Sequence, residues 1–426
     1  MAEIEPSDDS RDDEEPPSTR RDNQSRNSLS SASATPDARL AASADALPSS
    51  LRSSGQAPQL AISAANGLGT ASSDQYAEWD GPETIDAVAD ALSALGKVIR
   101  LEADDDFPAK LRAARPDIVF NIAEGLTGVN REGHVPAICE FFGIPYSGSD
   151  PFTLSLCLDK ARTKETLAFH GVPTAPFAVA ASIDELRAIA RGETRLPVPS
   201  ARTPLFIKPV HEGSSKGITE RNYITSAKSL LETGEMLIET YDQPLLAETF
   251  LPGAEFTCGV LGNGLDAIVL PIVAINFGSL PGDAVPIYGF EAKWIWDRPE
   301  NPLDIFQCPA RIPEALRTQI EEVVLRAYRV LGCRDWSRVD VRLDAAGVPN
   351  LVEVNPLPGI LPDPADNSCL PKAARAAGLS YDELIQTCLI HAADRLGVEV
   401  ITSAGEAVIT SAARDLHLSR RLEILA

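Results

Sequence analysis

Chemistry is densest in Ser337-Arg338-Val339-Asp340-Val341-Arg342-Leu343-Asp344, continued after Ala-Ala-Gly-Val by Pro349-Asn350-Leu351-Val352-Glu353-Val354-Asn355. Alternation predicts two strands. Val339, Val341 and Leu343 share one face of the first, and Arg338, Asp340 and Arg342 the other; Leu351, Glu353 and Asn355 fall on one parity of the second. If Asp344 and Pro349 close a four-residue loop, Asp340 stands opposite Glu353 and Arg338 opposite Asn355. Facing carboxylates repel unless a cation lies between them. An Asp, a Glu and an amide carbonyl are hard oxygen ligands, suited to magnesium that bridges nucleotide phosphates. The pattern alone leaves open the solvated face of an ordinary hairpin, although the apolar run Pro356–Leu361 beyond it weighs against full solvation.

Other candidates surround lysines and glycines. Lys208 ends the apolar run Pro204-Leu205-Phe206-Ile207 and is followed by Glu212-Gly213-Ser214-Ser215-Lys216-Gly217. A lysine there can pair with phosphate oxygens while loop N–H groups cradle them. The G-x-x-x-x-G-K-[ST] spacing of a P-loop is missing, and taken alone the segment fits a plain surface turn slightly better. Lys160, in Asp159-Lys160-Ala-Arg-Thr-Lys164, reads by itself as a solvated helix lysine, and Glu248, after Leu245-Leu246-Ala247, as an edge-strand glutamate able to accept hydrogen bonds from adenosine. No Ser/His/Asp or Cys/His nucleophile pattern stands out among the five histidines.

The elements that must position these residues are legible in outline. Residues 1–55, rich in Ser, Asp, Glu, Arg and Pro with no aromatic residue before Tyr76, are expected to be disordered. Leu60–Ile62 reads as a short strand and Asp117–Asn121 as another, with a helix between them that carries Pro82, Ile85, Val88, Leu92 and Leu95 and stops at Gly96. Asp150 is expected to cap a helix running to His170. Strands are expected at Leu205–Val210, Leu245–Leu251, Glu255–Leu261 and Ala267–Ile275. A helix near Pro313 buries Leu316, Ile320, Val324 and Leu331, and the capping box Ser380-x-x-Glu383 opens the last one. The expected class is α/β with three domains: an N-terminal α/β domain over 56–150, a central lobe over 151–250 and a C-terminal lobe over 251–397, then an extension over 398–426 that has no evident place.

Composition excludes several classes. A formal charge of −23 argues against a nucleic-acid partner, though not against nucleotide binding by a few local lysines. Seven scattered cysteines without a C-x-x-C pair fit reduced thiols. No apolar run approaches the roughly 18 residues of a membrane span, and the acidic start is unlike a signal peptide. A soluble cytoplasmic protein acting on small molecules is expected, with no membrane or nucleic-acid partner.

Taken in order, these segments resemble the ATP-grasp fold, specifically the D-alanine–D-alanine ligase family. The carriers, spread over residues 115–395, are Gly143–Ser149, Asp159-Lys160-x-x-x-Lys164 and Ile207-Lys208-Pro-x-x-Glu212-Gly-Ser-Ser215, then Glu248-x-x-x-x-Gly-x-Glu255-Phe256, Glu291-Ala-Lys293, Arg338-Val-Asp340 and Glu353-Val-Asn355-x-x-Pro-Gly359. The resemblance implies ATP held between two lobes and two magnesium ions, or manganese, on Asp340, Glu353 and Asn355. It implies phosphate and adenine contacts from Lys160 and Lys208 and a phosphate contact from Lys293, with the loop of Glu212, Gly213, Ser214 and Ser215 folding over the phosphates. Glu248 and Glu255 would hold adenine and ribose, and Arg338 the transferring phosphoryl group. Ser214 and an N-terminal glutamate, Glu78 or else Glu83, would close the catalytic site. Gly359 and Ser368 would meet the second substrate. The implied reaction joins a carboxylate to an amine through an acyl phosphate, in a chain that can form a homodimer.

Four departures touch the substrate side. Trp294 replaces the family tyrosine after Glu-Ala-Lys, and indole cannot accept a hydrogen bond. The N-terminal glutamate has no secure position, Asn121-Ile-Ala-Glu124-Gly125 stands where many members have His-Gly, and the chain from Gly359 to Ser368 is about four residues longer than usual. The leading expectation is therefore D-alanyl-D-alanine formation for peptidoglycan. Ligation of another amino acid, a hydroxy acid or a peptide, and nucleotide binding without turnover, are the alternatives.

Overall fold

Pro82 in the first turn starts α1 (Pro82–Ser93), which buries Val88 and Leu92 as their spacing requires. The computed structural model describes residues 79–400 except 283, 290–291, 293–295 and 297–302, and these belong to one compact unit. The tail, the strand expected at Leu60–Ile62 and residues beyond 400 lie outside the described residues. Next come α2 (Phe107–Ala114) and α3 (His134–Phe142), which ends on Gly143 in the left-handed region. The strand expected at Asp117–Asn121 is a single parallel bridge, Val119 to Tyr146. Among the described residues this segment does not build a ladder.

The helix expected from Asp150 to His170 is two helices, α4 (Pro151–Leu158) and α5 (Lys160–Phe169). Asp150 caps the first through Thr153 N. Asp159, extended at ψ 95°, caps the second through Ala161 N and Arg162 N, so the chain turns at this residue. Then follow β1 (Phe177–Ala180), α6 (Ile183–Ala190), β2 (Leu205–Pro209), β3 (Tyr223–Ile224), α7 (Ala227–Tyr241) and β4 (Leu245–Thr249). The four strands form an antiparallel sheet in the order β1-β4-β2-β3. Leu186 and Ile189 of α6 and Leu230 and Leu237 of α7 cover it, packed on Leu205, Ile207 and Leu245.

The second sheet contains β5 (Glu255–Leu261), β6 (Ile268–Val269), β7 (Val273–Ile275), β8 (Phe306–Gln307), β9 (Trp336–Leu343) and β10 (Pro349–Asn355). Its order is β10-β9-β5-β7-β8, with β6 also on β5. The single strand expected over Ala267–Ile275 is thus two, interrupted around Pro271, which has no N–H to donate. On one face, Phe256, Cys258, Val260, Val339 and Val341 pack against Ile320, Val324 and Tyr328 of α8 (Glu314–Val330). Cys157 of α4 and Leu167 of α5 join this core rather than that of the smaller sheet. Part of the opposite face is covered by α9 (Cys369–Ala376), whose Leu370 comes so close to Gly259 that a Cβ there would lie 2.6 Å from Leu370 Cδ1. The capping box predicted at Ser380 forms and opens α10 (Tyr381–Leu396), which packs on α1. No helix among the described residues is long and apolar enough to cross a membrane.

Asp335, fully buried in front of β9, ties this sheet to its surroundings. Its carboxylate accepts from Gly148 N (2.8 Å), Asn263 Nδ2 (2.9 Å) and both Nε and Nη2 of Arg395. The loop before α4, the β5–β6 turn and the end of α10 therefore converge where β9 begins.

Candidate active site

The same face of the second sheet carries the polar hairpin. Asp340 pairs with Glu353 and Arg338 with Asn355, as the alternation predicts. At the turn the register differs: Leu343, not Asp344, faces Pro349, and an irregularity between Leu351 and Glu353 absorbs the extra residue at Val352. That bulge reverses parity, so Leu351 joins Val339, Val341 and Val354 in the core instead of sharing the face of Glu353 and Asn355. Without it, either Leu351 or Glu353 would point the wrong way.

Neighbouring elements bring lysines to this hairpin. The break at Asp159 puts Lys160 in the first turn of α5, where its backbone N–H donates to Val210 O and its ammonium to the carbonyl of Glu212. The same ammonium lies 3.2 Å from Glu353 Oε1. Glu248, at the end of β4 and buried, receives Lys164 on Oε2 and Lys208 on Oε1, each at 2.8 Å. Burial alone would raise its pKa; the two ammoniums outweigh that and hold it at about 2. Burial likewise opposes ionisation of Glu353, yet Lys160, Lys208 and Arg338 hold its pKa below the usual range. Burial disfavours the charge on Lys208 as well, but Glu248, Glu353 and Glu255 together push its pKa up. For Lys164, burial prevails over Glu248 and the pKa falls.

The glycine–serine loop is bent tightly. Ser214 and Ser215 adopt φ of 47° and 63°, a conformation that serine reaches only under local constraint. Lys216 N donates to Gly213 O, and the Lys216 ammonium holds Glu212 Oε2 at 2.7 Å. At Gly217 (φ 69°) a Cβ would approach Pro209 and Tyr241 to 2.9 Å, so glycine is needed there for both backbone angle and space.

A cavity gathers Lys160, Gly213, Ser214, Arg338, Glu353, Asn355 and Gly359. Lys208, Glu248 and Glu255 are not among its walls, although Lys208 lies in the combined field of Glu248, Glu353 and Glu255. Ser368 is joined to Gly359: its hydroxyl donates to Gly359 O and accepts from Leu361 N, both at 3.2 Å, closing the longer loop on itself. Glu83 is exposed on α1. Glu78, Lys293 and Trp294 lie outside the described residues.

Three features escaped sequence reasoning. Glu124 and Glu132 also wall the cavity, and neighbouring Arg131 donates to His211 O at 3.0 Å, tying their loop to the phosphate-loop candidate. Lys164 is the second partner of Glu248, and its place one turn after Lys160 was the available signal. Arg342 belongs to the face of Arg338 and Asp340 but pairs with Glu255 at 2.7 Å.

The hairpin fits a hard cation. Among the described residues, buried Asp340 Oδ1 has no hydrogen-bond partner, and neither has the side-chain nitrogen of Asn355, whose amide can turn its oxygen inward. Among the described residues Asp340 is engaged through Oδ2, by Arg338 Nη2 at 3.1 Å. No group of three or more His, Cys, Asp or Glu side chains gathers among the described residues. The donor set is thus two carboxylates and an amide, which leaves coordination places for phosphate oxygens and water, as magnesium prefers.

Residues 167–390 match the family model described as D-ala D-ala ligase C-terminus. D-alanine–D-alanine ligase of Bordetella petrii is 36% identical over 285 residues, 67% of this chain and 78% of that protein. The Bordetella pertussis enzyme is 37% identical over 67% of this chain and 81% of its own. Among solved structures, the ATP complex of D-alanine–D-alanine ligase from Bacillus anthracis superposes with a TM-score of 0.55 at 22% identity, covering 74% of this chain and 95% of that one. The VanG D-Ala:D-Ser ligase of Enterococcus faecalis gives 0.52 at 28% identity, covering 65% and 73%.

Proposed function

The chain belongs to the D-alanine–D-alanine ligase family, and from that premise we propose that it joins two D-alanine molecules at the expense of ATP, releasing ADP and phosphate. The observation that carries this reading is the hairpin register, with Asp340 opposite Glu353 and Lys160 beside the latter. The carboxylate of the first amino acid attacks the γ-phosphate to give an acyl phosphate. The amine of the second attacks that carbonyl and expels phosphate. Lys160 and Lys208 neutralise phosphate charge, the Gly213–Ser215 loop covers the phosphates, and Glu248 and Glu255 fix the nucleoside. Lys293 contacts the phosphates, a role carried over from the family. Arg338 stabilises charge on the moving phosphoryl group and then on the oxyanion. Asp340, Glu353 and Asn355 would hold two magnesium ions, or manganese, which when bound neutralise charge on the β- and γ-phosphates. Ser214 and Glu78 keep water from the acyl phosphate, a role carried over from the family. Gly359 and Ser368 position the acceptor. The three-domain division, a cytoplasmic location and a homodimer belong to the same proposal, carried over from the family.

A second reading, ligation of another amino acid, hydroxy acid or peptide, is favoured by Glu124 and Glu132 in the cavity wall and by the longer loop closed by Ser368. Magnesium-dependent ADP release with a panel of D- and L-amino acids and dipeptides separates the two. Strong stimulation by D-alanine alone is expected. Stimulation only by other acceptors would replace D-alanine with the second reading, and no stimulation by any acceptor despite ATP binding would refute ligase activity.

A further inference from the structure

Arg342 is buried on β9, opposite Glu255 of β5. Its guanidinium lies between the rings of Phe250 and Phe277, 4.6 Å and 5.0 Å from their centroids. Nη1 donates to Glu255 Oε2 at 2.7 Å and Nη2 to Pro286 O at 2.9 Å. A planar cation held between two rings and by two hydrogen bonds has little freedom left. It also faces the nucleotide side of the sheet, since Arg338, Asp340 and Arg342 share that face. Burial pushes the Glu255 pKa up and Asp340 adds to it, while Arg342 and Lys208 oppose them, so the carboxylate borders the same charged cleft. Only Oε2 of Glu255 is engaged by Arg342, which leaves Oε1 as a second acceptor.

We propose that Arg342 is a nucleotide-positioning residue: clamped by Phe250 and Phe277, it holds the Glu255 carboxylate in the orientation that accepts the ribose hydroxyls. This rests on the proposed role of Glu255 in holding the nucleoside, and it adds the residue that makes that role effective. A flexible glutamate would lose side-chain freedom on binding each nucleotide, whereas one fixed beforehand does not. Charge-assisted hydrogen bonds to the hydroxyls are then made at full strength.

The test is a binding cycle that does not depend on which amino acids are joined. Dissociation constants are measured with magnesium for ATP and for 2′,3′-dideoxy-ATP, using the full chain, Arg342→Met and Glu255→Gln. Wild type should bind ATP about tenfold or more tightly than the dideoxy nucleotide. That ratio should fall to about twofold in both variants. A merely structural arginine would weaken both nucleotides equally and leave the ratio intact. Arg342→Lys, which keeps the charge between the rings but cannot reproduce both hydrogen bonds, should lower the ratio part-way, and it serves should the methionine chain fail to fold. An unchanged ratio in the Arg342 variants with a collapsed ratio in Glu255→Gln overturns the inference alone. A full ratio in Glu255→Gln overturns the ribose assignment and the inference with it.

Discussion

Replacing Asp340 by Asn together with Glu353 by Gln should reduce turnover at least about a thousandfold, roughly 4 kcal/mol of barrier, while the protein still folds. In the wild type these carboxylates are paired across β9 and β10, and one oxygen of Asp340 has no partner among the described residues. An arrangement that left two like charges facing each other would be costly if stability were its only outcome. The amides keep the shape and remove the repulsion. The amide oxygen introduced by Glu353→Gln can still accept from the buried Lys160 ammonium, which also retains the Glu212 carbonyl. The unfolding midpoint should therefore move by only a few degrees, about 1 kcal/mol. Steady-state ADP release and thermal unfolding on the same preparation measure both. Wild-type turnover in the double variant would remove the metal assignment.

The second large effect is on stability. Glu248→Gln should destabilise the fold by about 3 kcal/mol, because Lys164 and Lys208 lose the buried carboxylate that both contact at 2.8 Å. The sign follows from the pKa, held at about 2 against an ordinary 4.5. A carboxylate with a depressed folded-state pKa contributes its full stabilisation above about pH 4.5 and loses it as the pH falls toward 2. A shift of that size corresponds to about 3 kcal/mol at 1.36 per unit. Urea unfolding at a series of pH values should show the wild type losing that advantage over Glu248→Gln below about pH 4.5. A variant within about 1 kcal/mol of wild type at neutral pH would show that the two lysines do not depend on this charge.

The extent to which the sequence disclosed these features follows from how local their causes are. The pairing of Asp340 with Glu353 was legible because strand alternation and a short loop leave few registers. The bulge at Val352 was not, since a valine is equally at home on a straight strand, and so Leu351 was put on the wrong face. The interruption at Asp159 carries neither Gly nor Pro; it depends on an aspartate that caps the following helix, a role indistinguishable in sequence from an ordinary helix-surface residue. The strands Phe177–Ala180 and Phe306–Gln307 are too short for a periodicity to register. In the site, the hairpin was indicated by strand alternation and Lys208 by its place after an apolar run, whereas Lys160 and Arg338 were indicated only by the family resemblance. Lys164 on Glu248 and Arg342 on Glu255 join residues 84 and 87 apart, and only folding brings such partners together.

The central claim is that the first substrate's carboxylate is activated as an acyl phosphate over this hairpin. D-alanine carrying a heavy-oxygen label in its carboxylate, supplied with magnesium and ATP, tests it most directly. One labelled oxygen per turnover should appear in the released phosphate, because the carboxylate oxygen bonded to phosphorus leaves with it. Dipeptide formation with unlabelled phosphate would contradict the account.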